Sequence, residues 1–318
     1  MMEGDARPCG GCSYCCNPVT SHRFTTFADV MYLRFGNADV AYAQEQLGVE
    51  AATAVPTGHV ATAAPDYQTG IRFGMAACCS PCSSIVARYT WFGIGTNSSI
   101  QAGNGAVLAS LVMPPNVQNC GTQSLSSTAS YNITLNRVDL DYRHLLAGDC
   151  DWAVNWLAGV RYAGLDQDFS SKQLAGVPAG LTDVTTKIGF DGLGIGLGID
   201  ILLRRPCSGF FLFGRGDTSF LGGEFNADYR LTSQFGGGVD VTQSLVNYRM
   251  ITMLDGELGV GWESPRGYLR LTAGYQVSGW YNTLMMNNYL NGVAHAQVAH
   301  LDDTVTLNGV IARVEWRL

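Results

Sequence analysis

From Leu193 to Leu203 every second residue is a large aliphatic: Leu193, Ile195, Leu197, Ile199, Ile201 and Leu203. Between and beside them stand Gly192, Gly194, Gly196, Gly198, Asp200, Leu202 and Arg204. A helix would scatter those aliphatics around its circumference, and each interior glycine would cost it about 1 kcal/mol. Alternation with period two is the mark of a strand with one apolar face. The same alternation recurs at Trp152–Tyr162, Val246–Val260, Leu269–Val277, Val310–Leu318 and around Val138, Leu140 and Tyr142. Weaker versions cover Phe24–Phe35, Tyr67–Met75, Ser84–Phe92 and Phe210–Asp217. About ten strands are predicted, with room for one or two more.

Several of these strands run nine to eleven residues, enough to cross a bilayer at a tilt, whereas soluble strands average five or six. Aromatics stand near strand ends on the apolar face, where interfacial girdles lie. The opposite face carries charges in mid-strand, such as Arg137 with Asp139 and Asp255 with Glu257, which a polar lumen tolerates and a sandwich core does not. Connections alternate in length: long at 36–66, 93–130, 163–183, 218–244 and 278–304, short at 76–83, 144–151, 205–209 and 262–267. That alternation is the layout of bacterial outer-membrane barrels. The expected fold is all-β: an antiparallel up-and-down transmembrane β-barrel of about 10–12 strands, with short periplasmic turns and long extracellular loops. Residues 1–23 read as a Cys-rich tail on the periplasmic side, and 24–318 as the barrel. A soluble β fold is the competing architecture.

Composition agrees with a protein whose outside does not face water throughout. Charged residues make up only 14%, apolar residues 47%, and the net charge is -7. The apolar content excludes a disordered chain, and the acidic balance argues against a nucleic-acid partner. The longest uncharged stretch, Tyr89–Asn136, is interrupted by Gly, Ser, Asn and Pro114-Pro115 and is no transmembrane helix. Met1–Arg7 carries charge with no apolar run behind it, so the expectation is a mature or shortened chain, or one that is not exported.

The segments LDYRHLL (140–146), WAVNWLAGVRYAGL (152–165), Phe190–Arg204, LTAGYQVSGWY (271–281) and VIARVEWRL (310–318) resemble the Legionella major outer membrane protein-like family of pore-forming barrels of Gram-negative bacteria. The resemblance covers residues 24–318. It implies insertion in the outer membrane, with lipid as the surrounding partner, and passive diffusion of small solutes or ions through a lumen. It also implies delivery by outer-membrane assembly machinery reading the C-terminal strand. Here that strand ends on Leu318 rather than an aromatic, with Trp316 two residues earlier. A homo-oligomer is compatible with the family.

The pore-lining candidates are Arg137, Asp139, Asp141, Arg143, Arg161, Lys187, Asp200, Arg249, Asp255, Glu257, Arg270, Arg313, Glu315 and Arg317. Two states are open for them: walls of opposite charge around water, or salt bridges that fill a narrow barrel. The four glycines of 192–198 favour space. Cys9, Cys12, Cys15, Cys16, Cys78, Cys79, Cys82, Cys150 and Cys207 fall on the short-turn side and are candidates for disulfides stapling the tail to the periplasmic rim, in an oxidising compartment; a thiolate metal site is the rival. Arg215-Gly216-Asp217 is expected to end a strand. His295, His300, Asp302 and Asp303 share a loop that reads as solvated. No nucleophile–base set stands out, so no enzyme activity, cofactor or metal is expected. The alternatives to a pore are a non-conducting scaffold or adhesin displaying long surface loops, and a soluble secreted β-sheet enzyme or binding protein.

Overall fold

The six aliphatics from Leu193 to Leu203 point away from the protein, each between 42 and 66% exposed. They belong to a closed ring of strands. The computed structural model describes residues 24–47, 55–80, 82–114, 124–149, 151–176, 179–205, 208–234, 238–298 and 301–318. Along these run β1 (Phe24–Gly36), β2 (Val40–Leu47), β3 (Val55–Ala63), β4 (Gln68–Ser80), β5 (Ser83–Gln101), β6 (Val107–Ser110) and β7 (Ser124–Asp149). Then follow β8 (Trp152–Gly176), β9 (Ala179–Arg204), β10 (Phe210–Ser233), β11 (Val239–Glu263), β12 (Leu269–Thr283), α1 (Met286–Ala294) and β13 (Asp303–Arg317). Neighbours pair in the order β7, β5, β4, β1, β13, β12, β11, β10, β9, β8, and β8 pairs again with β7. The ring is therefore closed by ten antiparallel strands, and β3, β2 and β6 form a small flap on the β7 side. Closure leaves no barrel edge unpaired, which is what a sheet in lipid requires. The start of β1 and the residue after β13 meet at the short-turn rim, where Phe24 and Leu318 exchange backbone hydrogen bonds of 3.3 and 2.8 Å.

All ten ring strands coincide with sequence-predicted ones, but they are longer than predicted. Strands β7 to β11 each run 24–26 residues, so most of the expected loops 163–183 and 218–244 are strand. The reason is an inversion of pattern. On β9 the outward residues change from Leu193 and its successors to Asp191, Gly189, Lys187 and Thr185. The inward ones change from Asp200 and the glycines to Phe190, Ile188, Thr186 and Val184. On β8 the outward run Trp152–Tyr162 gives way to Gly164, Asp166, Asp168, Ser170 and Lys172, while Leu165 and Phe169 turn inward. The apolar face flips from lipid to lumen at one level.

That level is the membrane surface. Ten residue steps from Leu193 to Leu203, at about 3.3 Å each and tilted about 40°, span roughly 25 Å, the height of an outer-membrane apolar band. Tyrosines mark its upper limit by bonding to polar neighbours on the next strand: Tyr162 to Asp191, Tyr89 to Asn136 at 3.0 Å, and Asn308 to Tyr275 at 2.8 Å. Below lie Trp152, Trp316, Phe24, Phe210 and Tyr268, all exposed. Above the band the strands continue for about 14 residues on β9, roughly 35 Å of extracellular barrel. There the inside is an apolar core that includes Phe92, Tyr131, Ile133, Phe169, Phe190, Phe225 and Leu231.

Candidate functional site

Inward side chains within the bilayer band meet as an ion-pair lattice. Arg161 on β8 is its centre. Its Nε donates to Asp139 at 2.6 Å, one terminal nitrogen to Ser219 and Asp255 at 2.8 Å each, and the other to Asp217 at 2.6 Å. To reach β10 the guanidinium lies over β9, where positions 194, 196 and 198 are all glycine. Gly194 pairs directly with Arg161 in register, and a Cβ on it would stand 1.9 Å from the Phe220 carbonyl oxygen. The glycines do face the lumen as expected, and having no side chains they leave the path from Arg161 to Asp217 and Ser219 on β10 clear.

Around this centre Arg137 donates to Asp139 at 2.9 Å and to Asp255 at 2.8 Å. Arg88 binds Asp141, and Arg215 approaches Asp141 at 3.2 Å and Asp217 at 3.3 Å. On the other wall Arg313 holds both oxygens of Asp29 at 2.7 and 2.9 Å. Arg72 reaches Asp29 at 3.3 Å, Gln276 at 2.8 Å and Glu257 at 3.5 Å. The bonds Arg137–Asp255 and Arg72–Glu257 each join strands four places apart in a ten-strand ring, so they cross the lumen. Six arginines meet six carboxylates, and the lattice is electrically balanced. Asp139 is 1% and Arg161 3% exposed. Nearer the periplasm a second group, Glu263, Arg270, Glu315 and Arg317, closes on itself at 2.8–3.8 Å. Beside it Arg143 and Asn155 share Asp200, and the Arg143 side chain, 37% exposed, meets water.

Of the fourteen pore-lining candidates, ten thus sit in these two lattices and two more, Arg143 and Asp200, pair beside the second. Lys187 does not: it points outward on the extracellular part of β9, its side chain 71% exposed, 3.6 Å from Asp168. It shares parity with Leu193 and Ile195, so the strand that turns those to lipid turns Lys187 to solvent. Arg249 faces inward but above the lattices, donating to the carbonyls of Leu301 at 3.1 Å and Thr283 at 3.5 Å. Asp29, Arg72, Arg88, Arg215, Asp217 and Glu263 complete the lattices and were not among the candidates. Each alternates with outward residues as the others do; all but Glu263 lie on strands whose pattern is weaker, and Glu263 stands at the end of β11, beyond its clear alternation. Arg215-Gly216-Asp217 does not end a strand; it lies in mid-β10.

The extracellular mouth is filled as well. Residues 284–298 fold into it, and Leu284, Met285, Met286, Tyr289, Leu290 and Val293 are buried. So are Leu108, Val112 and Met113, whose segment is held by the Tyr229 hydroxyl donating to the Val112 carbonyl at 2.9 Å. The expected loop 278–304 is therefore an internal plug over most of its length; His295 is exposed on it, and His300 lies outside the described residues. Cys78, Cys79 and Cys82 sit at the β4–β5 hairpin on the rim where Phe24 meets Leu318. Cys9, Cys12, Cys15, Cys16, Cys150 and Cys207, and the proposed tail 1–23, lie outside the described residues. Among the described residues no group of three or more His, Cys, Asp or Glu is arranged to hold a metal, and no helix is long and apolar enough to cross a membrane.

The ten-strand ring has counterparts among solved structures. The outer membrane protease OmpT from Escherichia coli superposes with a TM-score of 0.52 at 11% identity, over 94% of this chain and 98% of that one. The toluene transporter TodX of Pseudomonas putida aligns over 93% of this chain and 89% of its own, at 8% identity and a TM-score of 0.29. At these identities the likeness to OmpT is one of fold, and that to TodX carries no argument. No curated protein matches the chain. The family model described as "Legionella pneumophila major outer membrane protein precursor" matches residues 16–318. With an outward aliphatic band, an inward charge lattice and that match over nearly its whole length, the chain belongs to the Legionella major outer membrane protein family and is a protein of the outer membrane.

Proposed function

We propose that this outer-membrane barrel is a pore that is closed in the present conformation and admits small solutes or ions when the luminal lattice rearranges. The observation that carries the reading is what fills the lumen at bilayer depth. Replacing buried ion pairs by packed hydrophobic residues of similar volume is often neutral or stabilising. A barrel selected only for strength could have continued its apolar core downward. Instead the continuous apolar core stops where the bilayer begins; Leu157, Leu202 and Phe211 remain as buried inward hydrophobics within the band, but balanced charge takes its centre, exposed at the periplasmic end through Arg143. A charged side chain that loses its partner can be solvated by water entering the lumen, whereas an opened apolar core cannot. No catalytic step and no cofactor belong to this proposal. Lipid is the partner of the outward face, and β13 is the segment offered to assembly machinery.

Recording in planar bilayers tests it. The wild-type protein should give rare, small current steps, and the charge-balanced variant Arg161→Ala with Asp255→Ala should give more frequent and larger ones. Silence from both at every voltage overturns the pore. One observation favours a second reading in that event: the extracellular barrel, with its own sealed apolar interior, is a rigid stalk suited to a non-conducting scaffold or adhesin.

A further inference from the structure

Nine-residue helices are marginal on their own, and α1 (MNNYLNGVA) is worse than most. It contains three asparagines and a glycine among its nine residues, its N-cap residue Met285 makes no side-chain cap, and neither end carries a charge that suits the helix dipole. What α1 lacks is supplied by the barrel wall. Gln167, buried on β8, accepts from the backbone N–H of Met286 at 3.0 Å and donates to the carbonyl of Leu284 at 2.9 Å. The Tyr131 hydroxyl donates to the same Gln167 oxygen at 2.8 Å and fixes its orientation. Gln167 thus acts as a cap in trans, doing for the first turn what a serine or aspartate at the N-cap does in an ordinary helix. At the other side of the plug Arg249 gathers both ends of the segment, bonding the carbonyls of Thr283 and Leu301 and lying 3.5 Å from Asp302.

The backbone is built to swing at the same places. The β12–β13 ladder breaks register between Tyr281 and Thr283. Asn282 (φ 65°) and Ala296 (φ 53°) hold the left-handed conformation on either side of α1, a conformation that carries strain for a residue such as alanine. In between, Tyr289 is buried, and its hydroxyl reaches the Ala227 carbonyl at 3.5 Å. Burial and the nearby Asp228 push its phenol up to about 12, so it stays a neutral donor.

We infer that residues 284–298 form a hinged extracellular seal, latched to the barrel wall by Gln167 and Arg249, whose release opens the mouth of the pore. The inference rests on the pore reading for its consequence but not for its geometry, and one experiment separates the two. The protein and its variants Gln167→Ala and Gln167→Ala/Arg249→Ala are placed in lipid vesicles, with heat-modifiable gel mobility as the check on folding. Hydrogen–deuterium exchange is then followed at the amides of 286–294. Losing the cap should speed exchange there about tenfold in the single variant and further in the double, with the amides of β8 and β9 at bilayer depth unchanged. Unchanged exchange at 286–294 overturns the latch. Faster exchange supports it, and current recording on the same variants then judges the pore: more frequent steps support both, whereas faster exchange in a silent barrel leaves the latch standing and removes the pore. If the variants fail to fold, the wild type decides. Its amides at 286–294 should exchange together and at least tenfold faster than those of β8 and β9, and equal protection overturns the latch.

Discussion

Arg161 holds three carboxylates and one hydroxyl from β7, β10 and β11 in a single guanidinium plane. A lysine at the same place would offer one point charge with three donors and no flat fork to lie along the β9 glycines. All the lattice cations are arginine, and the two lysines of the chain, Lys172 and Lys187, are both exposed on the extracellular barrel, each near one aspartate. Removing one partner of a buried pair leaves an uncompensated charge and costs about 3–5 kcal/mol. Arg161→Ala should therefore lower the temperature at which the folded gel band is lost, and Arg161→Lys should fall between it and the wild type. Gly194→Ala belongs to the same argument. Its Cβ would press on the Phe220 carbonyl, and overpacking of that kind costs about 1–3 kcal/mol, so its gel transition should shift down without any change of charge. Equal transitions for the wild type and Arg161→Ala would mean that water already satisfies the lattice.

A strand here is two half-strands in opposite phase, and that governs what the sequence discloses. Leucine at position 197 faces lipid at mid-bilayer, and arginine placed on that face costs about 2–4 kcal/mol. Thr185 lies on the same face of the same strand but above the inversion, exposed to water. Leu197→Arg should impair recovery of folded protein in the outer-membrane fraction, while Thr185→Arg should leave it unchanged; equal loss from both would displace the proposed membrane surface. The lipid-facing halves are legible because lipid demands an apolar run on one face, clear on six of the ring strands and weaker on the other four. The extracellular halves are not, because their outward residues are the Thr, Ser, Asp and Gly that also compose loops, and their inward apolar residues alternate on the parity opposite to the run below. Lys187 was misplaced for the same cause. Within the site, Arg137, Asp139, Arg161 and Asp255 could be read from parity, whereas their closing of the lumen could not, since partners such as Arg137 and Asp255 stand 118 residues apart. An excess of arginine over lysine, 17 to 2, was the available sign of a filled interior. For the cysteines, Phe24 pairs with Ala77, so Cys78 is one residue beyond the first residue of the barrel. Cys16 is eight residues before it, within about 27 Å of extended chain. The staple predicts that intact mass after alkylation without reduction shows fewer than ten modified thiols, and ten would remove it.

At the scale of the whole molecule two seals stand in series, an apolar plug held by Gln167 and Arg249 and an ionic lattice centred on Arg161. Sites more than about 7–10 Å apart with no shared partners normally act additively in free energy. Two independent seals would then give open probabilities that multiply: the fold-increase from Gln167→Ala/Arg249→Ala, times that from Arg161→Ala/Asp255→Ala, should equal that of the combined variant. The inner face of β12 argues for something else. Gln276 accepts from Arg72, and Ser278 donates to Asp255. Trp280 donates to Ser278 at 3.1 Å and is itself buried in the extracellular core. Thr283, next on the same strand, is an anchor of Arg249. One column along the inner face of β12 therefore runs from the lattice to the base of the plug, ending on the Thr283 backbone carbonyl, and Asp255 is bonded to it directly. A lattice that relaxes must release Ser278 or carry it along, and Trp280 with it. The combined variant should fall short of the multiplied value, because the first seal opened already loosens the second. Ser278→Ala cuts the column between Asp255 and Trp280 and touches neither latch residue. In that background, with the lattice opened by Arg161→Ala alone, the product rule should return. If the combined variant obeys the rule with Ser278 intact, β12 carries no coupling and the two closures are separate devices in one barrel.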